Sequence, residues 1–155
     1  MTNSLIAQLV VPIANERDAR ATCVALDSVI DDGVETLTVV HVLEQTSGYP
    51  DKAPVEARAT AAKSIFETVE TWFQDGPEIH RELRYGIDVV DEIIATAEAV
   101  DASAIGFAHQ PESRLKRLLS NTESYRLITE SEQPVLVFSR VESADSDETQ
   151  TDSEV

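Results

Sequence analysis

The chain has one cysteine, three lysines, and no apolar run approaching the roughly 18–20 residues needed to cross a bilayer. A lone Cys23 excludes an internal disulfide and a zinc site made of cysteines, so its expected role is a small core residue on a helix. Without a membrane-length run, and without a basic-then-apolar amino terminus, the expectation is a cytoplasmic protein that does not engage membranes. Catalytic signatures are missing as well. There is no Cys/His pair, no G-x-S-x-G elbow and no GxxxxGK[ST] loop, so the chain is not expected to be an enzyme. His41, His80 and His109 are too scattered to make a metal site. His41 lies in an apolar strand and reads as a hydrogen-bonded core residue, whereas His80 reads as exposed. No internal repeat is visible.

Acid is what the chain has in excess. There are 29 Asp and Glu against 12 Lys and Arg, for a net charge of −17. Such a surface repels nucleic acid and anionic lipid, which excludes both as expected partners. The stretch Glu142–Val155 holds only 6 of the 29 acids, so the tail does not account for the excess. An acidic, lysine-poor surface is similar to that of proteins from high-salt cytoplasm.

At 155 residues the length fits one domain with one substantial core. Leu5–Ile13 is a β-rich apolar run closed by Pro12. Arg17–Ile30 has helical spacing, Asp31-Asp32-Gly33 is a turn, and Thr36–Leu43 is a strand too apolar to face water on either side. Gln45–Ala53 reads as a loop. The stripe from Val55 to Phe73, widened by Ile65 and Trp72, predicts a core-facing helix and gives Trp72 no cofactor role. Glu78–Tyr85 alternates with period two, as a strand near a sheet edge does. Asp88 opens another helix, Ala102–Ala108 is the fourth strand, Thr122–Ser131 the last helix and Val135–Ser139 the last strand. From Glu142 onward no apolar periodicity remains, so residues 1–140 are expected to form the domain and 141–155 an acidic disordered tail. The alternating order predicts an α/β fold: a single doubly wound, five-stranded parallel sheet with helices on both faces. Ligands of such sheets sit beyond the carboxyl ends of the strands, where strand order reverses.

The stretch 105–138, IGFAHQPESRLKRLLSNTESYRLITESEQPVLVF, carries 4 of the 12 basic residues: Arg114, Lys116, Arg117 and Arg126. It reads as a strand ending in Gly106, a basic loop, a helix start at Asn121-Thr122, and a closing strand announced by Pro134. A glycine leaving a strand, followed by backbone N–H groups at a helix start, is a common way to make an anion pocket.

The chain carries Val10-Val11-Pro12, Thr38–Val42, Tyr85-Gly86-Ile87-Asp88 before Ile93-Ile94, Asp101–Gly106 and Gln133–Phe138, in that order and spacing. By these segments it resembles, from Leu5 to Phe138, the universal stress protein family. The resemblance implies strand order 3-2-1-4-5, homodimers that often pair through the last strand, and a small-molecule site that in one branch holds ATP. That branch is marked by G-x-x-G-x9-G-[S/T] after strand four. Gly106 matches the first glycine, His109 stands at the second, Asn121-Thr122 falls on the closing pair, and the loop is two residues longer. Asn121 can take the left-handed conformation that a glycine would, and Thr122 can cap the helix and offer a hydroxyl to phosphate. Where the family has an aspartate after the first strand this chain has Ala14, with Asn15 beside it as a partial substitute. A five-stranded receiver domain would instead place acidic residues near Ala14 and Gly86-Ile87, and it is excluded.

The candidate ligand-binding residues are therefore Ile13, Val42, Gly106, His109, Asn121 and Thr122, for ATP, ADP, AMP or another anion held weakly and without turnover. The expected function is a regulatory or protective, homodimeric stress-type protein. A ligand-free protein-protein interaction module of the same fold is the alternative, and a slow ATPase the third reading.

Overall fold

A computed structural model describes residues 4–45, 55–108 and 121–138. The predicted Gln45–Ala53 loop (beyond residue 45), His109, the basic loop and the acidic tail lie outside the described residues. The elements run β1 (Gln8–Pro12), α1 (Glu16–Asp27), a 3₁₀ turn (Ile30–Asp32), β2 (Thr36–Glu44), α2 (Val55–Trp72), β3 (Glu78–Gly86), α3 (Val89–Ala99), β4 (Ala104–Ala108), α4 (Asn121–Glu130) and β5 (Val135–Phe138). The strands form one sheet in the order β3-β2-β1-β4-β5, and every neighbouring pair is parallel.

Side-chain alternation along the strands builds two cores. Leu9, Val11, Leu37, Val39 and Ala104 point to one face and meet Cys23 and Leu26 of α1 and Ile65, Phe66 and Val69 of α2. Val10, Val40, Ile105 and Phe107 point to the other and meet Val90, Ile93 and Ala97 of α3 and Leu127 of α4. Helices thus cover both faces, as expected for a sheet whose central strands are buried along most of their length. No helix among the described residues is long and apolar enough to cross a membrane.

Three local expectations need correction. The first strand begins at Gln8 rather than Leu5, because Ser4 folds back: its hydroxyl accepts from the Ile6 N–H at 3.2 Å and its carbonyl from the Ala7 N–H at 3.1 Å. The first helix stops at Asp27. The Ser28 hydroxyl bonds the Ala25 carbonyl at 3.0 Å, and the chain turns through Gly33, whose φ of 122° lies in the region that favours glycine. Trp72 is not in the core. It is 41% exposed at the end of α2, with its indole N–H donating to the Asp27 carboxylate at 3.1 Å. A helical stripe locates the apolar face but not how far its flank is covered.

Candidate functional site

Strand order reverses between β1 and β4, so the crevice beyond their carboxyl ends is where this fold places a ligand. On the β1 side, Ile13 is 2% exposed; its N–H donates to the Val40 carbonyl at 3.0 Å, and its own carbonyl receives the His41 Nδ1 hydrogen bond at 2.8 Å. His41 is buried. That burial holds its pKa below the ordinary 6.5, opposed by the bond to Ile13 and reinforced by the Arg58 charge. The ring is therefore neutral, with the proton on Nδ1 and Nε2 left as an acceptor.

The chain then enters α1 through a reciprocal cap. The Asn15 side-chain oxygen accepts from the Asp18 N–H at 2.8 Å, while the Asp18 carboxylate accepts from the Ala14 N–H at 2.8 Å. Asp18 is 5% exposed, and the Thr22 hydroxyl also points to it, at 3.5 Å. Asn15, the expected substitute for an aspartate at Ala14, thus has its oxygen engaged in capping the helix. Sequence reasoning missed Asp18, although an acid three residues after an Asn helix start is a capping signal.

On the β4 side the strand does not end at Gly106. It continues through Phe107 and Ala108, and Gly106 is buried within it, paired with Leu136. A Cβ at Gly106 would lie 2.6 Å from Phe138 Cε2, 3.0 Å from Cζ and 3.4 Å from Leu9 Cδ1. Glycine is required here because the Phe138 ring crosses over it, not because the chain turns. His109, Arg114, Lys116 and Arg117 lie outside the described residues. Since α4 begins at Asn121, Thr122 lies in its first turn, exposed, rather than capping it. Val42 is half-buried against the α3/α4 core, whereas Ile13 belongs to the α1/α2 core. The described candidates therefore straddle the sheet instead of sharing one face.

Arg126, counted with the basic residues of this region, is committed to carboxylates: Asp88 at 2.8 Å, Glu130 at 3.1 Å and Asp91 at 3.3 Å. Asp88 caps α3 by accepting from the Asp91 N–H at 3.0 Å. That bond and then Arg126 hold its carboxyl below the usual range. The cluster ties the start of α3 to α4. At the opposite, amino-terminal end of the sheet, a cavity of about 530 Å³ is lined by Asp31, Asp32, Glu35, Asp75 and Glu78, an environment hostile to anions. Cys23 is fully buried, and burial, with Asp27 adding to it, pushes its thiol up to about 12, which leaves it unreactive at neutral pH. Among the described residues no group of three or more His, Cys, Asp or Glu is placed to hold a metal ion.

The family model described as "Universal stress protein family" matches residues 7–139. Similar solved structures include a universal stress protein from Archaeoglobus fulgidus in complex with dAMP, 19% identical, covering 87% of this chain and 99% of that one with a TM-score of 0.59. A protein from the universal stress protein family of Burkholderia pseudomallei is 19% identical over 88% of this chain and 98% of its own, with a TM-score of 0.62. A universal stress protein in complex with cAMP is 16% identical over 87% and 99%, with a TM-score of 0.53. At these identities the likeness is one of fold. No curated protein matches the chain.

Proposed function

The chain belongs to the universal stress protein family, and from that premise we propose that it is a cytoplasmic homodimer with a regulatory or protective role, binding an adenine nucleotide weakly and without turnover. The observation that carries the reading is the crevice at the strand-order reversal, with Thr122 exposed in the first turn of α4, where its hydroxyl could meet a phosphate. Ile13, Val42, Gly106, His109, Asn121 and Thr122 are the proposed contacts. Relatives of this fold are described in complex with dAMP and with cAMP, which favours an adenine nucleotide over other anions. Native mass spectrometry of freshly purified protein, then denaturation, should release a nucleotide from a dimer. Replacing Asn121 by Asp and Thr122 by Ala together should weaken ATP binding at least tenfold, and unchanged affinity would remove the site. Phosphate release above the buffer rate would contradict the absence of turnover.

Dimerisation is assigned to β5. Its short apolar strand is an edge of the sheet, and Val137 on it is 47% exposed; Tyr125 and Ile128 of α4 are also exposed, at 68% and 51%. A second reading, a ligand-free interaction module, draws support from the β1–α1 entry: the Ala14 N–H and the Asn15 oxygen are both engaged by Asp18. A dimer that releases nothing and shows no nucleotide binding would favour it.

A further inference from the structure

We propose that Phe138 is a plug over Gly106 whose displacement sets how tightly the crevice takes an adenine nucleotide; this rests on the nucleotide reading above. Glycine in a sheet lets another group come close to the backbone, and at Gly106 that close approach is made by the protein itself. Phe138 pairs with Ala108, yet its ring leans back diagonally across two residues, so that Cε2 lies 2.6 Å from where a Cβ of Gly106 would stand. Any ligand atom that reached down between β1 and β4 to the Gly106 Cα would occupy the same volume as the ring. Leu9 bounds the other side of that space, with Cδ1 at 3.4 Å and no exposure.

The ring is placed where it can leave. Phe138 is the last residue of β5, β5 is an edge strand, and the side chain is only partly buried, packed against the α1/α2 core rather than within it. A rotation toward the sheet edge therefore disturbs few neighbours among the described residues, in contrast to the buried aromatic Phe107 on the opposite face. If the open position is populated one part in ten or less, apparent affinity falls by that same factor. Removing the ring removes the penalty.

The full chain is titrated calorimetrically with ATP and with AMP as wild type, Phe138→Val and Phe138→Leu, with thermal melts to verify folding. The expected result is at least tenfold tighter binding to Phe138→Val and an intermediate gain for Phe138→Leu, which keeps the test alive if the smaller residue fails to fold. In the wild type, saturating nucleotide should also shift the Gly106 Hα resonances as the ring moves away. Equal affinity in all three proteins, or Gly106 resonances that stay in place on saturation, overturns the plug while leaving the nucleotide site standing. No binding by any of the three overturns the plug together with the nucleotide site.

Discussion

The two edges of the sheet are built by opposite rules. β3 is nine residues long and interleaves its apolar side chains with charge: Glu78 bonds His80 at 2.8 Å, Arg81 meets Glu70 at 2.7 Å, and Arg84 meets Glu82 and Glu92 at 3.0 Å each. Arg81 also lies over the Phe66 ring, 5.6 Å from its centre, and so covers core with a cation. β5 is four residues, VLVF, without a charge. Charged side chains along an edge discourage a second strand from adding to it, and an apolar edge invites one. Among the described residues one edge is thus defended by charge and the other is not, and the acidic composition hides this asymmetry.

The largest test of that contrast is Val137→Lys. A charge on the open edge should convert the proposed dimer to monomer at micromolar concentration while leaving the melting curve of the monomer cooperative, as read by light scattering after gel filtration. A dimer of undiminished mass would place the interface elsewhere.

Acid should separate the sheet interior from its defended edge. His41, on β2, has a folded pKa held below 6.5 by burial. Above that value neither folded nor unfolded chain is protonated there; as pH falls through 6.5 the unfolded chain takes up a proton that the folded one resists. Stability should therefore fall by at most about 1.4 kcal/mol per pH unit below 6.5. Glu70, held below its ordinary 4.5 by the Arg81 hydrogen bond, gives stability that is present above 4.5 and is lost as pH falls through its lowered value. Thermal melts between pH 7.5 and 5.5 should decline in the wild type and much less in His41→Gln, with both falling further below pH 4.5. Identical slopes in the two proteins would mean that another group controls the upper window.

The smallest expected effect is on the defended edge. Arg84→Ala leaves the Glu82 and Glu92 carboxylates without their shared cation and should cost about 1 kcal/mol or less, with no change in mass. The loss should shrink in molar salt, where the screening length is about 3 Å. Association of the variant through β3 would mean that Arg84 alone had kept that edge closed.

Much of this architecture is legible in the residue order. Period-two alternation in Glu78–Tyr85 marks an edge, continuous apolarity in Thr36–Leu43 marks a central strand, and Asp88 before an apolar helix marks its cap. These are local signals, because each depends on neighbours within a few positions in the chain. The candidate site was less legible. Gly106 reads as the exit from a strand because glycines commonly serve there, but its partner is Phe138, brought over it by parallel pairing of β4 and β5. Trp72 fits a core stripe by spacing, yet it ends on the surface with Asp27. Asn15 looked free to bind, and Asp18 claims its oxygen.

What the sequence by itself determined is the class of fold, the order of its elements, the family and the position of the crevice, since hydrophobic period and turn chemistry are properties of contiguous residues. Only the tertiary structure decided which groups at that crevice are open. Strand register and helix packing bring Asp18 to the Ala14 amide and Phe138 to Gly106, and contacts between elements distant along the chain leave no mark on local spacing.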